Sequence, residues 1–67
     1  MELSPGIPSV RQLQAVIREQ RLIELKLVVG EVLKGQLVWQ DNLFLNLRSE
    51  GQSYMVSRLA IAYIQLL

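Results

Sequence analysis

The chain contains no cysteine and no histidine. Disulfides, zinc sites of the Cys/His kind, thiolate nucleophiles and imidazole bases are all excluded by that absence. An excess of one charge is missing too: seven Lys and Arg against six Asp and Glu leave a formal charge of +1. No bulk attraction for polyanions follows from such a balance, so any nucleic-acid contact must come from how the charges are arranged. Long hydrophobic runs are absent as well. The charge-free stretch near the C-terminus extends only from Leu59 to Leu67, short of the ~20 residues that a membrane-spanning helix needs. Glu2, Pro5 and Pro8 stand where a signal peptide would carry a basic start and an apolar segment. The expectation is a cytoplasmic protein that is not an enzyme and holds no metal or cofactor.

What is present is apolar. Hydrophobic residues make up 51% of a chain of only 67. A domain of this size buries about 60% of its unfolded surface, and small domains usually need a disulfide, a metal or self-association to be stable. With the first two gone, self-association is the expected remedy.

Residues 1–8, with two prolines and a glycine, read as an extended lead-in, and residues 9–67 as the domain. Ser9 followed by Gln12 has the spacing of a capping box. Beyond it Val10, Leu13, Val16 and Ile17 fall on one helical face, and Arg11, Gln14, Arg18 and Glu19 on the other. This predicts a helix of about Ser9 to Gln20, too short to hold alone in water. The period then drops to two. Leu22 to Val29 predicts a first strand, Gly30-Glu31 a tight hairpin, and Val32 to Gln40 a second strand. Gly35, inside that strand, marks a bend, a bulge or a close backbone approach. Asp41-Asn42 is a turn dipeptide, Leu43 to Arg48 a third strand, and Ser49 to Gln52 another turn. Ser53 to Arg58 and Ala60 to Gln65 complete five strands. The compact solution is mostly β: a strongly bent antiparallel sheet, an open barrel with the helix across one end. Apolar edge strands without proline or lysine invite another copy, which predicts a ring.

These residues resemble a known family. Ile23-x-Leu25-x-Leu27-Val28-Val29-Gly30, Leu33-x-Gly35-x-Leu37, and Asp41 ahead of Leu45-x-Leu47 look like the first Sm motif. The helix-first layout and Ala60-Ile61 resemble its bacterial branch, the Hfq-like proteins. Ile7-Pro8-Ser9-Val10-Arg11-Gln12 and Trp39-Gln40-Asp41 are similar to stretches of the cyanobacterial members. The resemblance implies a homohexameric ring that binds small regulatory RNA and mRNA as an RNA chaperone in post-transcriptional regulation.

Three RNA-binding surfaces are implied, residue by residue. On the proximal, uridine-binding face the matching positions are Asn42, Leu43, Ser57 and Arg58. The family's stacking aromatic and its histidine are missing there. Base–aromatic stacking is worth ~1–3 kcal/mol per base, so a weakened grip on uridine-rich ends is implied. On the distal face, which takes adenine-rich tracts in many members, the positions are Lys26, Gly30, Leu33 and Lys34. On the rim they are Arg18 and Arg48. An alternative keeps the ring but makes it a protein-interaction scaffold, because cyanobacterial relatives are associated with type IV pilus machinery.

Several of these residues also have plain structural readings. Gly30 and Gly35 suit a turn and a bend, and Asp41 a loop organised by backbone N–H donors. Trp39 suits core or interface. Arg58 fits an ion pair between subunits as well as a phosphate contact, and Tyr54 and Tyr63 fit an interface or an exposed surface.

Overall fold

The computed structural model describes residues 6–67. Of the expected lead-in, residues 1–5 lie outside the described residues. Helix α1 (Pro8–Glu19) is followed by strands β1 (Leu22–Leu27), β2 (Val32–Gln40), β3 (Phe44–Ser49) and β4 (Gln52–Ser57). A 3₁₀ turn, Arg58–Ala60, then leads into β5 (Ile61–Leu66). All neighbours are antiparallel in the order β4-β3-β2-β1-β5, so the bent sheet stays unclosed, with β4 and β5 at its edges. The expected helix-plus-five-strand fold is what the chain adopts.

The helix begins one residue earlier than expected, and the capping box is not made. Ile7 is the N-cap, in extended geometry and with no side-chain cap, and Pro8 is the first helical residue. Proline suits that position because its φ is already helical and its missing N–H would have had no partner. Ser9 thereby falls inside the helix, where its hydroxyl has no orphan donor three residues on to satisfy. At the other end Gln20 turns left-handed (φ 54°), and the N–H groups of Gln20 and Arg21 close onto the carbonyls of Ile17 and Val16 at 3.2 Å each. Val10, Leu13 and Val16 are buried and Ile17 packs beside them, so the apolar stripe lies against the sheet as its spacing implied.

Alternation along the strands sends Ile23, Leu25, Leu37, Leu45, Leu47 and Val56 inward, where they join Leu13 and Val16 in one core. Asn46 is the buried polar residue among those described, and its amide donates to Ser53 Oγ at 2.8 Å. Trp39, expected in a core or an interface, stays 39% exposed on the single chain.

The long strand β2 serves both halves of the sheet. Val32–Gln36 pair with β1, and Gln36–Gln40 pair with β3. A register shift between Leu37 and Trp39 bulges the strand at Val38, which adds bend and twist. Gly35 meets a different need. A Cβ built there would lie 2.2 Å from the carbonyl oxygen of Arg48 and 2.9 Å from its carbon. The glycine is required by close backbone approach and not by a positive φ.

The first hairpin differs from expectation in one respect. β1 ends at Leu27, and Val28-Val29-Gly30 form the turn, with Gly30 N–H donating to Leu27 O at 2.9 Å and Gly30 at φ 104°. The chain leaves the ladder early because β5 and its lead-in hold the other side: Leu27 pairs with Ile61, and Val28 N–H donates to Ala60 O at 2.8 Å. Val28 and Val29 are exposed as a result. β3 starts at Phe44, one residue later than expected, and Arg58 opens the 3₁₀ turn instead of ending β4.

Two substitutions test this packing. Leu25→Ala, at a fully buried position, should cost about 2–5 kcal/mol, read as a lower urea midpoint. Gly35→Ala, innocuous at an ordinary strand position, should cost about 1–3 kcal/mol or more because only backbone can yield; an unchanged midpoint would show that β2 and β3 are not so close.

Candidate nucleic-acid interface

The loop between β2 and β3 is organised by one carboxylate. Asp41 Oδ1 accepts the N–H of Leu43 at 2.8 Å and of Phe44 at 2.7 Å, while Asp41 N–H donates to Phe44 O at 2.9 Å. Those two backbone donors, Phe44 first, hold the Asp41 carboxyl below the ordinary aspartate range, with help from the nearby Arg58 guanidinium. The loop-organising role expected of Asp41 is the one it has.

Across from this loop the end of β4 turns into the 3₁₀ segment. Arg58 N–H donates to Leu43 O at 3.0 Å, and Leu59 N–H donates to Ser57 Oγ at 3.3 Å. Asn42, Leu43, Ser57 and Arg58 therefore line one concavity of about 220 Å³, together with Phe44 and Leu59. All four positions expected on the proximal face are thus brought together from two separate stretches of chain. Leu43 and Leu59 are 63% and 93% exposed there.

Arg58 is held from behind. Its Nε donates to the main-chain oxygen of Asp41 at 2.6 Å, and its Nη2 donates to Gln40 Oε1. Gln40 in turn donates through Nε2 to Gln14 Oε1 at 2.9 Å and to Val10 O at 3.4 Å on helix α1. Sequence reasoning missed Gln40 and Gln14 as parts of this site. A polar residue closing the apolar run Leu37-Val38-Trp39 was the one signal for Gln40, and nothing in the sequence pairs it with the helix.

The expected distal residues are only partly assembled. Glu24 lies opposite Lys34, and Lys26 opposite Val32, so both lysines share the face of the sheet away from Ile23 and Leu25. Lys34 Nζ lies 3.7 Å from Glu24 Oε1, a long contact in which the lysine is exposed to water and the glutamate is partly covered. Gly30 sits in the hairpin turn. Leu33 lies opposite Leu25 and packs against the core, though it still lines one wall of the cleft that Lys34 borders. A one-residue step along a strand reverses the face, so the side chains of Leu33 and Lys34 leave the strand on opposite sides.

On the expected rim, Arg48 lines a groove of about 260 Å³ with Ile17 and Gln20 at the end of α1, and Arg18 is exposed in the helix's last turn. Arg48 also shares a wider cleft of about 720 Å³ with Leu33, Lys34 and Tyr54, so two of the distal positions meet one of the rim positions there. No helix among the described residues is long and apolar enough to cross a membrane.

Comparison with known proteins agrees with this architecture. Residues 7–66 match the model of a family described as Hfq related. The chain belongs to that family. It is similar to the crystal structure of an Hfq protein from Anabaena sp., with 34% identity and a TM-score of 0.85, over 92% of this chain and 100% of that one. A 1.55 Å crystal structure of the pleiotropic translational regulator Hfq shares the fold, with a TM-score of 0.85 at 19% identity, over 88% of this chain and 98% of that one. No match is found among curated protein sequences.

The lowered pKa of Asp41 has a consequence for stability. A carboxylate with a depressed folded-state pKa contributes stability above its unfolded value, and that contribution is lost as pH falls through the folded value. Below about pH 4, the wild type should lose stability that Asp41→Asn, which keeps an acceptor oxygen but no charge, does not lose. Urea midpoints from pH 5 downward, compared between the two proteins, check this; parallel acid limbs would remove Asp41 from the account.

Proposed function

We propose that the protein binds RNA as an Hfq-type ring, acting as an RNA chaperone in post-transcriptional regulation and not as an enzyme. The observation that carries this reading is the concavity joining Asn42, Leu43, Ser57 and Arg58, built around a guanidinium, in a chain of the Hfq-related family. A flexible strand of RNA offers such a site two things, phosphate charge and unstacked bases. Arg58 suits the phosphate. Leu43 and Leu59 provide apolar contact but no aromatic face, so uridine-rich ends are held weakly. Lys26, Lys34, Arg18 and Arg48 extend the cationic surface, and in a homohexamer each would recur six times. Weak contacts repeated on one ring add through effective concentration.

Assembly follows from the open sheet. β4 and β5 each leave one edge unpaired, and Tyr54, Met55 and Tyr63 on those strands are exposed. Adding the β4 edge of one copy to the β5 edge of the next satisfies both ladders and repeats head to tail, which closes as a ring.

The exposure of Leu43 and Leu59 also favours a second reading. An apolar surface where related rings stack bases suits a protein partner, such as a component of type IV pilus machinery, with the ring as scaffold.

Light scattering should give the mass of six subunits, unchanged by modest dilution. Fluorescence anisotropy with oligo-U, oligo-A and a mixed-sequence RNA should show micromolar or tighter binding to at least one of them. Affinity should fall steeply with salt, by a slope of about −0.7 for each phosphate neutralised. An intact ring that binds none of the three would move the function to the scaffold reading, and a monomer would end both.

A further inference from the structure

We propose that Gln40 is a positioning residue for RNA binding: it holds the Arg58 guanidinium in a fixed pose and anchors that pose to helix α1. This rests on the RNA-binding reading above and goes beyond it by assigning how the site's cation is prepared.

The chemistry of an amide is two-sided, accepting at one end and donating at the other. Gln40 uses both ends. Its Oε1 accepts from Arg58 Nη2, and its Nε2 donates to Gln14 Oε1 and Val10 O. The orientation has no workable alternative. Turned over, the amide would set its N–H groups against a guanidinium, which has no acceptor, and its oxygen against the Val10 carbonyl. The helix therefore dictates which atom Gln40 presents to Arg58.

Arg58 is met on one edge. Nε goes to the Asp41 carbonyl and Nη2 to Gln40, the two donors that lie side by side along the guanidinium. The end-on fork, Nη1 with the second hydrogen of Nη2, points away from both of these acceptors and suits a ligand oxygen pair. A guanidinium presents such a fork to phosphate in bidentate fashion. Holding the side edge removes in advance the rotamer freedom that binding would otherwise have to remove. The pose is also tied to the loop that forms the concavity's other wall, because Asp41 organises Leu43 and Phe44 through its carboxylate. Helix α1, Gln40, Arg58 and the Asp41 loop thus form one connected set of hydrogen bonds behind the site.

The test is a double-mutant cycle read by anisotropy with the tightest-binding of the three RNAs, on protein confirmed as the wild-type oligomer. Gln40→Met keeps side-chain length and removes both hydrogen-bonding ends. It should weaken RNA binding about five- to tenfold. Arg58→Gln should weaken binding further and reduce the salt slope by about 0.7 for each phosphate that Arg58 neutralises. In the Arg58→Gln background, Gln40→Met should then have no further effect, because the residue it positions is gone. A role confined to docking the helix would instead lower affinity equally in both backgrounds, and that result overturns the proposal, as does unchanged affinity in Gln40→Met alone. If Gln40→Met does not assemble, Gln14→Met removes one anchor of Gln40 from the helix side. It should give a smaller loss that again vanishes when Arg58 is Gln, and a loss independent of Arg58 overturns the proposal. Wild-type protein that binds no RNA overturns the function reading together with this one, whereas binding that is indifferent to Gln40 overturns this one alone.

Discussion

A single strand has to belong to two halves of one sheet, and the rest of the structure depends on how β2 manages it. Its first half pairs with β1 and its second with β3, so the chain must change direction without breaking its ladders. Two devices share the task. At Gly35 the absence of a side chain lets the backbone come against the Arg48 carbonyl. At Val38 an extra residue lengthens one strand relative to its partner and turns the ladder. With the bend in place Ile23, Leu25, Leu37, Leu45 and Leu47 all face one interior, and the apolar stripe of α1 has a concave surface to lie on. Without it, those residues would line a flat sheet with one greasy face, and a helix of twelve residues could not cover it.

The candidate site is a by-product of the same geometry. Because β2 ends where the sheet has turned, the Asp41 loop emerges beside the end of β4, and the 3₁₀ turn at Arg58 meets it. The site's polar groups then satisfy one another locally: the Asp41 carboxylate caps Leu43 and Phe44, and the Asp41 carbonyl and Gln40 hold Arg58. The concavity between them consequently has a firm frame and two loosely covered leucines at its mouth. Charge is treated differently elsewhere. Lys26, Lys34, Arg18 and Arg48 sit on regular elements, with one weak ion pair to Glu24 among them, which leaves their charge available to solvent or to a polyanion.

Much of this is legible in the residues alone. Alternation in β1 and the 3.6-residue stripe in α1 announce their elements because burial on one face leaves a periodic record in the sequence. Expectation and structure part where that record is weak. Val28 and Val29 look like strand residues by composition, but the β5 register takes the ladder away from them. Ser9 looks like a cap, but Pro8 is a better helix start by one residue. Family resemblance groups Leu33 with Lys34, whereas the two-residue period of a strand puts them on opposite faces.

By itself the sequence determined the element order, the buried faces, the special backbone position at Gly35 and the loop role of Asp41, because each rests on local chemistry or local periodicity. The tertiary structure decided which residues far apart in the chain would meet. Asn42 and Leu43 found Ser57 and Arg58, Lys34 found Arg48 and Tyr54, and Gln40 found both Arg58 and the helix. A contact of that kind depends on the bend of β2 and the register of its neighbours, which no short stretch of residues encodes alone.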